Sequence, residues 1–166
     1  MKIETYKIKG WKEKLYGLVI DENDKWILVK HIPVDYVIDG FILYRKKFIK
    51  IRKPHKKAEI IAKVLKLKEI KIEKPQDFEF KDVLELLKWS ENKYGLFEFK
   101  DNLENELFYG KVSNNAKNLL TIDMILSNGN IEKEYDYEFE LGQIRTIAFE
   151  SDYFTSIVLL MNNYTN

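Results

Sequence analysis

Cysteine is absent from this 166-residue sequence. Its absence excludes a disulfide scaffold, thiolate catalysis and zinc sites with cysteine ligands. The first residues lack the uninterrupted apolar stretch of a secretory signal peptide. No apolar run approaches the length of a membrane-spanning helix, about 20 residues. These absences predict a cytoplasmic protein that has no membrane partner.

Glycine and histidine are scarce, with seven and two residues respectively. No glycine-rich phosphate loop occurs, and neither His31 nor His55 belongs to an H-x-x-x-H pair of metal ligands. No G-x-S-x-G motif marks a nucleophile, and no pair of carboxylates stands out. The sequence therefore predicts that the protein is not an enzyme and has no catalytic residues, no metal site and no cofactor.

Charge is divided unevenly along the chain, although the net formal charge is only +1. Residues 1–75 contain 20 Lys and Arg against 10 Asp and Glu, a formal charge of +10. Residues 76–166 contain 8 Lys and Arg against 17 Asp and Glu, a formal charge of −9. Halves of opposite sign can attract each other, or they can present different surfaces to different partners.

One stretch of the sequence occurs twice. Leu15–Ile32 aligns without a gap on Phe108–Ile125 at a shift of 93 residues. A Tyr-Gly pair falls at the same place in both copies, Tyr16–Gly17 and Tyr109–Gly110. Each copy has the apolar and β-branched residues of two strands, joined by a short polar turn. We therefore expect an internal duplication with one hairpin in each copy.

Further strands are predicted around each hairpin, with a tight helical turn before the last strand of each copy. The first copy has strands at Ile3–Ile8, Phe41–Arg45 and Ile49–Lys53 and the turn at Arg45–Phe48, and the second has strands at Gly95–Lys100 and Tyr135–Phe139 and the turn at Leu141–Ile144. Five strands with one such turn are typical of an SH3-like or Sm-like small barrel.

A helix should follow each barrel, and a third helix should lie between them. Pro54 suits the first turn of one helix, and Tyr153 lies at the beginning of the last. Asp82 followed by Glu85 is the pattern of a capped helix, which Gly95 should end.

The predicted fold class is therefore α+β and β-rich, with tandem duplicated five-stranded small barrels that are each followed by a helix. Three regions follow from this reading. Residues 1–70 form a basic barrel with its helix, residues 71–93 a linker and bridging helix, and residues 94–166 an acidic barrel with its helix.

The run Gly17–Ile49 resembles a widespread group of uncharacterised bacterial proteins. In that group a G-hydrophobic-D-x-x-D-x-W hairpin leads to a D-G turn and a hydrophobic strand. The matching residues here are Gly17, Asp21, Asp24, Trp26, Asp39, Gly40 and Phe41. Phe108–Val112 and Ile144–Tyr153 resemble a later part of those proteins, in which a barrel strand is repeated. The resemblance implies a duplicated small β-barrel and brings no known activity with it.

The stretch with the clearest binding chemistry is Arg45–Lys57, the basic strip. If Ile49 and Ile51 point inward, the alternation of side chains along a strand places Lys50 and Arg52 together on the outer face. Eight of its thirteen residues are Lys or Arg, and these form the candidate binding patch: Arg45, Lys46, Lys47, Lys50, Arg52, Lys53, Lys56 and Lys57.

Three interpretations of the basic strip are open. The strip could bind phosphates while Phe41, Tyr44 or Tyr36 stacks on bases. It could be a solvated lysine-rich surface, or it could dock onto the acidic half of the chain. An equally acidic half would repel a nucleic-acid backbone, which favours the second and third interpretations.

The sequence thus predicts a non-enzymatic cytoplasmic module that binds another protein. An immunity- or antitoxin-like role is one version, in which the acidic half covers a basic toxin. The alternative is an RNA- or DNA-binding protein that acts through the basic half. The partner and the oligomeric state do not follow from the sequence.

Overall fold

The computed structural model describes residues 1–165, and the chain divides into two compact units, Met1–Phe80 and Lys81–Asn166. Both units are rich in antiparallel strands and contain α-helices. Between residues 1 and 165, no helix is long and apolar enough to cross a membrane. The domain boundaries predicted from the sequence stay a prediction.

Unit 1 is an antiparallel sheet with one helix. In spatial order its strands run β4-β3-β2-β1-β5, so that the last strand of the unit pairs with its first. A 3-10 turn at Lys46–Phe48 connects β4 to β5, and the helix α1, Ala58–Leu67, follows. The strands are β1 Ile3–Ile8, β2 Lys14–Glu22, β3 Trp26–His31, β4 Phe41–Arg45 and β5 Ile49–Pro54.

Unit 2 begins with the helix α2, Val83–Tyr94, and ends with the helix α3, Asp152–Thr165. Its strands are arranged β10-β8-β7-β6-β11, and β9 also pairs with β8. A 3-10 turn at Leu141–Gln143 precedes the last strand. The strands are β6 Phe97–Lys100, β7 Phe108–Ala116, β8 Leu119–Ile125, β9 Ile131–Glu132, β10 Phe139–Glu140 and β11 Thr146–Phe149.

The prediction of two closed five-stranded barrels is wrong, because the antiparallel sheet is open. Closure requires backbone hydrogen bonds between the two end strands of a unit. Within residues 1–165, β4 does not pair with β5 and β10 does not pair with β11. The three-residue turn after β4 redirects the chain, so that β5 pairs with β1 instead.

The two hairpins share one register at the shift of 93 residues. Gly17 lies opposite His31 in the first hairpin, and Gly110 lies opposite Met124 in the second. The register shifts between Val19 and Asp21, and again between Val112 and Asn114. The sequence repeat therefore corresponds to the same bulged hairpin in each unit.

The glycines of the two hairpins are required by the neighbouring strand. A Cβ atom on Gly17 would lie 2.6 Å from the Cγ2 atom of Val29. A Cβ atom on Gly110 would lie 2.8 Å from the backbone oxygen of Asp123, which cannot rotate away. Only glycine permits the partner strand to approach this closely.

Two buried clusters lie on opposite faces of the unit 1 sheet, because successive residues of a strand point to opposite sides. One cluster contains Tyr6, Ile8, Trp11, Ile27, Val29 and Tyr44. The other contains Ile3, Leu18 and Ile32 together with Ile61 and Leu65 of α1. Helix α1 thus covers one face of its sheet.

The predicted cap of α2 is confirmed, since the Asp82 side chain accepts a hydrogen bond from the Glu85 amide at 2.9 Å. Gly95 ends this helix with a φ of 93°. The predictions for Pro54 and Tyr135–Phe139 are wrong. Pro54 ends β5 and α1 begins only at Ala58, while β10 is restricted to Phe139–Glu140.

Replacing Gly110 with alanine should lower the free energy of unfolding by about 2 kcal/mol, since the added methyl meets the fixed backbone of β8. Gly142→Ala is the matched control in the same unit, because a Cβ atom there meets nothing within 4 Å. Urea unfolding followed by circular dichroism measures both variants. Equal stability of the two variants would contradict the steric argument.

Candidate binding surface

A bulge in β5 decides which way the side chains of the basic strip point. Residues directly opposite each other in a sheet point to the same face. Arg52 lies opposite Tyr6 and Ile49 lies opposite Ile8, which leaves Lys50 as the extra residue of the bulge. One extra residue reverses the alternation. Arg52 and Ile49 therefore share the face of the buried Tyr6.

The prediction that Lys50 and Arg52 share the outer face is consequently wrong for Arg52. Arg52 is half-buried, whereas Ile51, expected to point inward, has 37% of its surface exposed. Lys50 is exposed as predicted.

The guanidinium of Arg52 joins three strands of unit 1. Its Nε atom donates to Glu4 of β1 at 2.8 Å. Its Nη1 and Nη2 atoms donate to the two oxygens of Glu22 at the end of β2, both at 2.9 Å. Lys46 adds a fourth segment, with its Nζ atom 2.6 Å from Glu22. A two-pronged contact of this kind is the strongest geometry for an arginine–carboxylate pair.

The two carboxylates of this network are held in their charged form. Burial of Glu4, which is only 3% exposed, would raise its pKa, but hydrogen bonds from Arg52, Tyr6 and Lys2 outweigh this effect and lower the pKa. Hydrogen bonds from Arg52 and Lys46 lower the pKa of Glu22 to about 2. The network is therefore ionic at neutral pH.

Two tyrosines lie behind the buried carboxylate. The Tyr6 hydroxyl donates to Glu4 at 2.7 Å, and its ring stacks on Tyr44 with the centroids 4.7 Å apart. Burial, together with the hydrogen bond to Glu4, raises the pKa of Tyr6. Burial alone raises the pKa of Tyr44, so both phenols stay neutral.

Several other cations of the basic strip lie close to groups of unit 1. The guanidinium of Arg45 lies 5.8 Å from the Trp26 ring centroid, and the ammonium of Lys47 lies 5.0 Å from that of Phe48. Lys57 is 3.7 Å from a carboxylate oxygen of Asp35. The Asp35 carboxylate offsets part of the positive charge of the basic strip, and the ring contacts hold Arg45 and Lys47 against unit 1.

Lys50, Lys53 and Lys56 are exposed, as are Lys47 and Lys57. No carboxylate of residues 1–165 lies within ion-pair distance of Lys50, Lys53 or Lys56. Two of them lie on β5, which is the end strand of unit 1 and pairs with β1 alone in the described sheet. Part of the accessible charge of the basic strip, that of Lys50 and Lys53, thus lies along an open strand edge.

Two of the three aromatic residues that were expected to stack on bases are buried, and the third, Tyr36, is partly buried. Tyr44 is fully buried, and Phe41 is 8% exposed. Tyr36 packs against the cluster beneath α1. The structure therefore does not bring these rings together with the basic strip as a stacking surface.

The two histidines lie apart from the ion network. His31 ends β3. The ring of His55 packs edge-on against Tyr16, with centroids 4.7 Å apart, and its Nδ1 atom accepts the Lys57 amide proton at 3.0 Å. Burial, then the charges of Lys56 and Lys57, lower the pKa of His55. The absence of a metal or cofactor site stays a prediction.

The position of the ion network did not follow from the sequence. Glu4, Glu22 and Arg52 are far apart in the chain, and the register of β1 with β5 brings them together. No short motif contains them, and the only local sign would have been the acidic Glu4 inside the predicted strand Ile3–Ile8. No protein-family model, curated protein or solved structure matches this chain. The resemblance stated above rests on its motif alone.

Replacing Arg52 with alanine should lower the free energy of unfolding by about 3 kcal/mol, because Glu4 would keep a buried charge without its cationic partner. Lys50→Ala on the same strand is the control, and it should change stability by less than about 0.5 kcal/mol. Urea denaturation at neutral pH measures both. A loss of unfolding free energy in Arg52→Ala no larger than that in Lys50→Ala would show that the network does not hold the strands together.

Acid should weaken unit 1 through Glu22. Its pKa falls from an ordinary 4.5 to about 2 on folding. The stabilisation that ionised Glu22 gives to the folded state is therefore complete above pH 4.5 and disappears as the pH falls to 2. Because a third of the side chain is exposed, we expect a loss of about 1–2 kcal/mol.

Unfolding free energies of the wild type and Glu22→Gln, measured between pH 6 and pH 2, test this loss. The gap between the two proteins should close as the pH falls. Val34→Ala, at an exposed position of unit 1 with no titratable side chain, is the control, and its gap to the wild type should not change. A constant gap for Glu22→Gln would refute the ionic role of this carboxylate.

Proposed function

We propose that the protein is a non-enzymatic cytoplasmic module that binds another protein, and that unit 1 holds its partner along the open edge of β5. The observation that carries this proposal is the coincidence of an end strand with the accessible lysines of the basic strip. An extended segment of a partner can add itself to such an edge through backbone hydrogen bonds.

The side chains of β5 define what kind of segment fits. Lys50 and Lys53 attract carboxylates, and the exposed side of Ile51 offers an apolar contact between them. The same lysines repel the edge of a second β5 strand, which keeps copies of the protein from pairing there. Pro54 ends the edge, because it has no amide proton to donate. The partner is therefore a short acidic strand.

Binding of RNA or DNA through the basic strip is the alternative function. The exposed lysines favour it. The burial of Tyr44 and Phe41 speaks against single-stranded nucleic acid, which is held largely by stacking. The carboxylate of Glu22, which lies between Arg52 and Lys46, further opposes a phosphate at the centre of the strip. The geometry therefore favours an acidic protein segment.

The immunity- or antitoxin-like role stays a prediction from charge. The interpretation that the basic strip docks onto the acidic half receives no support from the pairs formed by Arg52 and Lys46, since both bind carboxylates of unit 1.

An internal duplication is part of the proposal. It is supported by the shared hairpin register and by the corresponding strand orders, β5-β1-β2-β3-β4 and β11-β6-β7-β8-β10. The charge differs between the copies, with formal charges of +8 for residues 1–80 and −7 for residues 81–166. Duplication followed by a change of charge explains how one strand order came to offer two surfaces.

A labelled peptide of alternating Glu and Val tests the proposed edge by fluorescence anisotropy. We expect it to bind the wild type, and we expect Lys50→Glu with Lys53→Glu to weaken binding by about tenfold or more. Lys14→Glu with Lys25→Glu changes the net charge equally at other exposed sites of unit 1 and is the matched control.

A second peptide, with proline in place of the central valines, separates strand addition from simple charge attraction. It should not bind, because proline cannot complete the backbone ladder. Equal binding of both peptides would overturn the proposal. Single-stranded RNA and duplex DNA complete the series, and nanomolar binding of either at physiological salt would establish the alternative function.

A further inference from the structure

An exposed apolar surface lies on unit 1 at helix α1. It consists of Val34, Val37, Ile60 and Leu67, which we name the α1 patch, and these side chains are 45–76% exposed. Isolated apolar residues are common on protein surfaces, whereas clustered ones mark interaction sites.

The residues of the α1 patch are neighbours because the segment before β4 runs beside the helix. Lys57, at the beginning of α1, is 3.7 Å from Asp35. Lys68, just after its end, donates to the backbone oxygen of Tyr36 at 2.7 Å. Ile60 and Leu67 are seven residues apart and so lie on one side of the helix. The segment and the helix together form one apolar surface.

Positive charge and a groove border the α1 patch. Lys63 and Lys66 lie on the exposed side of α1, and Lys56 is exposed just before the helix. Leu67 also lines a groove of ≈ 550 Å³ along the helix, which Met1 and Ala62 line as well. The groove can receive a large side chain, and the lysines favour a partner that carries negative charge.

A complementary surface exists on unit 2 of the same chain. Tyr153, Leu160 and Tyr164 are 39–58% exposed and recur at intervals of seven and four residues along α3, so they form one stripe, the α3 stripe. Another side of the same helix is buried and contains Phe154, Ile157 and Met161. Helix α3 contains no Lys or Arg, and its unit has a formal charge of −7. The stripe is thus apolar and lies in an acidic unit.

We propose that the α1 patch of one copy binds the α3 stripe of a second copy. Both surfaces are apolar and exposed, and their units carry opposite charges of similar size, +8 and −7. Contacts between two α1 patches or two α3 stripes would bring like charges together, whereas the mixed contact does not. Each copy carries both surfaces, so copies of the chain can bind one another without another partner.

Analytical ultracentrifugation tests the self-association with two variants. Ile60→Ser with Leu67→Ser disrupts the α1 patch, and Leu160→Ser with Tyr164→Ser disrupts the α3 stripe. The wild type should associate as its concentration rises and less so at high salt. Each variant should associate about tenfold more weakly or worse. Leu159→Ser is the control, since Leu159 is 66% exposed but lies on another side of α3.

A mixture of the two variants gives the decisive result. The α1 variant retains its α3 stripe, and the α3 variant retains its α1 patch. The mixture should therefore form a heterodimer, although neither variant forms a homodimer by itself. Circular dichroism establishes that both are folded. Lys63→Glu, which leaves every apolar residue in place, should also weaken association at low salt.

A monomeric wild type, or a mixture no more associated than its components, would overturn the proposal. Vesicles of phosphatidylserine and phosphatidylcholine provide a further arm. Vesicle binding that depends on Ile60 and Leu67, by a protein that stays monomeric, would assign the α1 patch to a membrane surface and overturn the proposal as well.

Discussion

Unit 1 depends on the hydrogen-bonded ion pairs that Arg52 forms with Glu4 and Glu22. This network joins β1, β2 and β5 through one side chain, and Lys46 extends it to the turn before β5. Glu4 is nearly inaccessible to water, and its charge is tolerable only because a cation and a phenol bind it. Removing the guanidinium would therefore leave a buried charge rather than an empty position.

This network also determines which positive charges face outward. A chain with eight Lys and Arg in thirteen residues suggests one continuous basic surface. The bulge at Lys50 divides it, since it turns Arg52 inward and leaves Lys50 and Lys53 on the open edge. The result is a narrow line of charge beside backbone groups, which suits an extended acidic segment better than a broad polyanion.

Two further constraints come from close approach of backbone to neighbours. Gly17 and Gly110 allow the hairpin strands to lie nearer than any side chain would permit. Gly129, with a φ of 84°, lies so near α3 that an added Cβ atom would come within 2.8 Å of the Leu160 Cβ atom. Glycine is scarce in this chain, and these three are placed where packing leaves no room.

Patterns of neighbouring residues in the sequence determined several strands and helices of this protein. A loose alternation predicted Ile3–Ile8, and the Asp39–Gly40 turn signal predicted Phe41–Arg45, both to the residue. The cap signals at Asp82 and Gly95 predicted α2. These features depend on neighbours in the chain. The open form of the sheet, the inward direction of Arg52 and the pairing of Glu4 with Arg52 were decided only by tertiary structure. They depend on which distant strands pair and in what register, and one extra residue in a strand reverses every side chain beyond it.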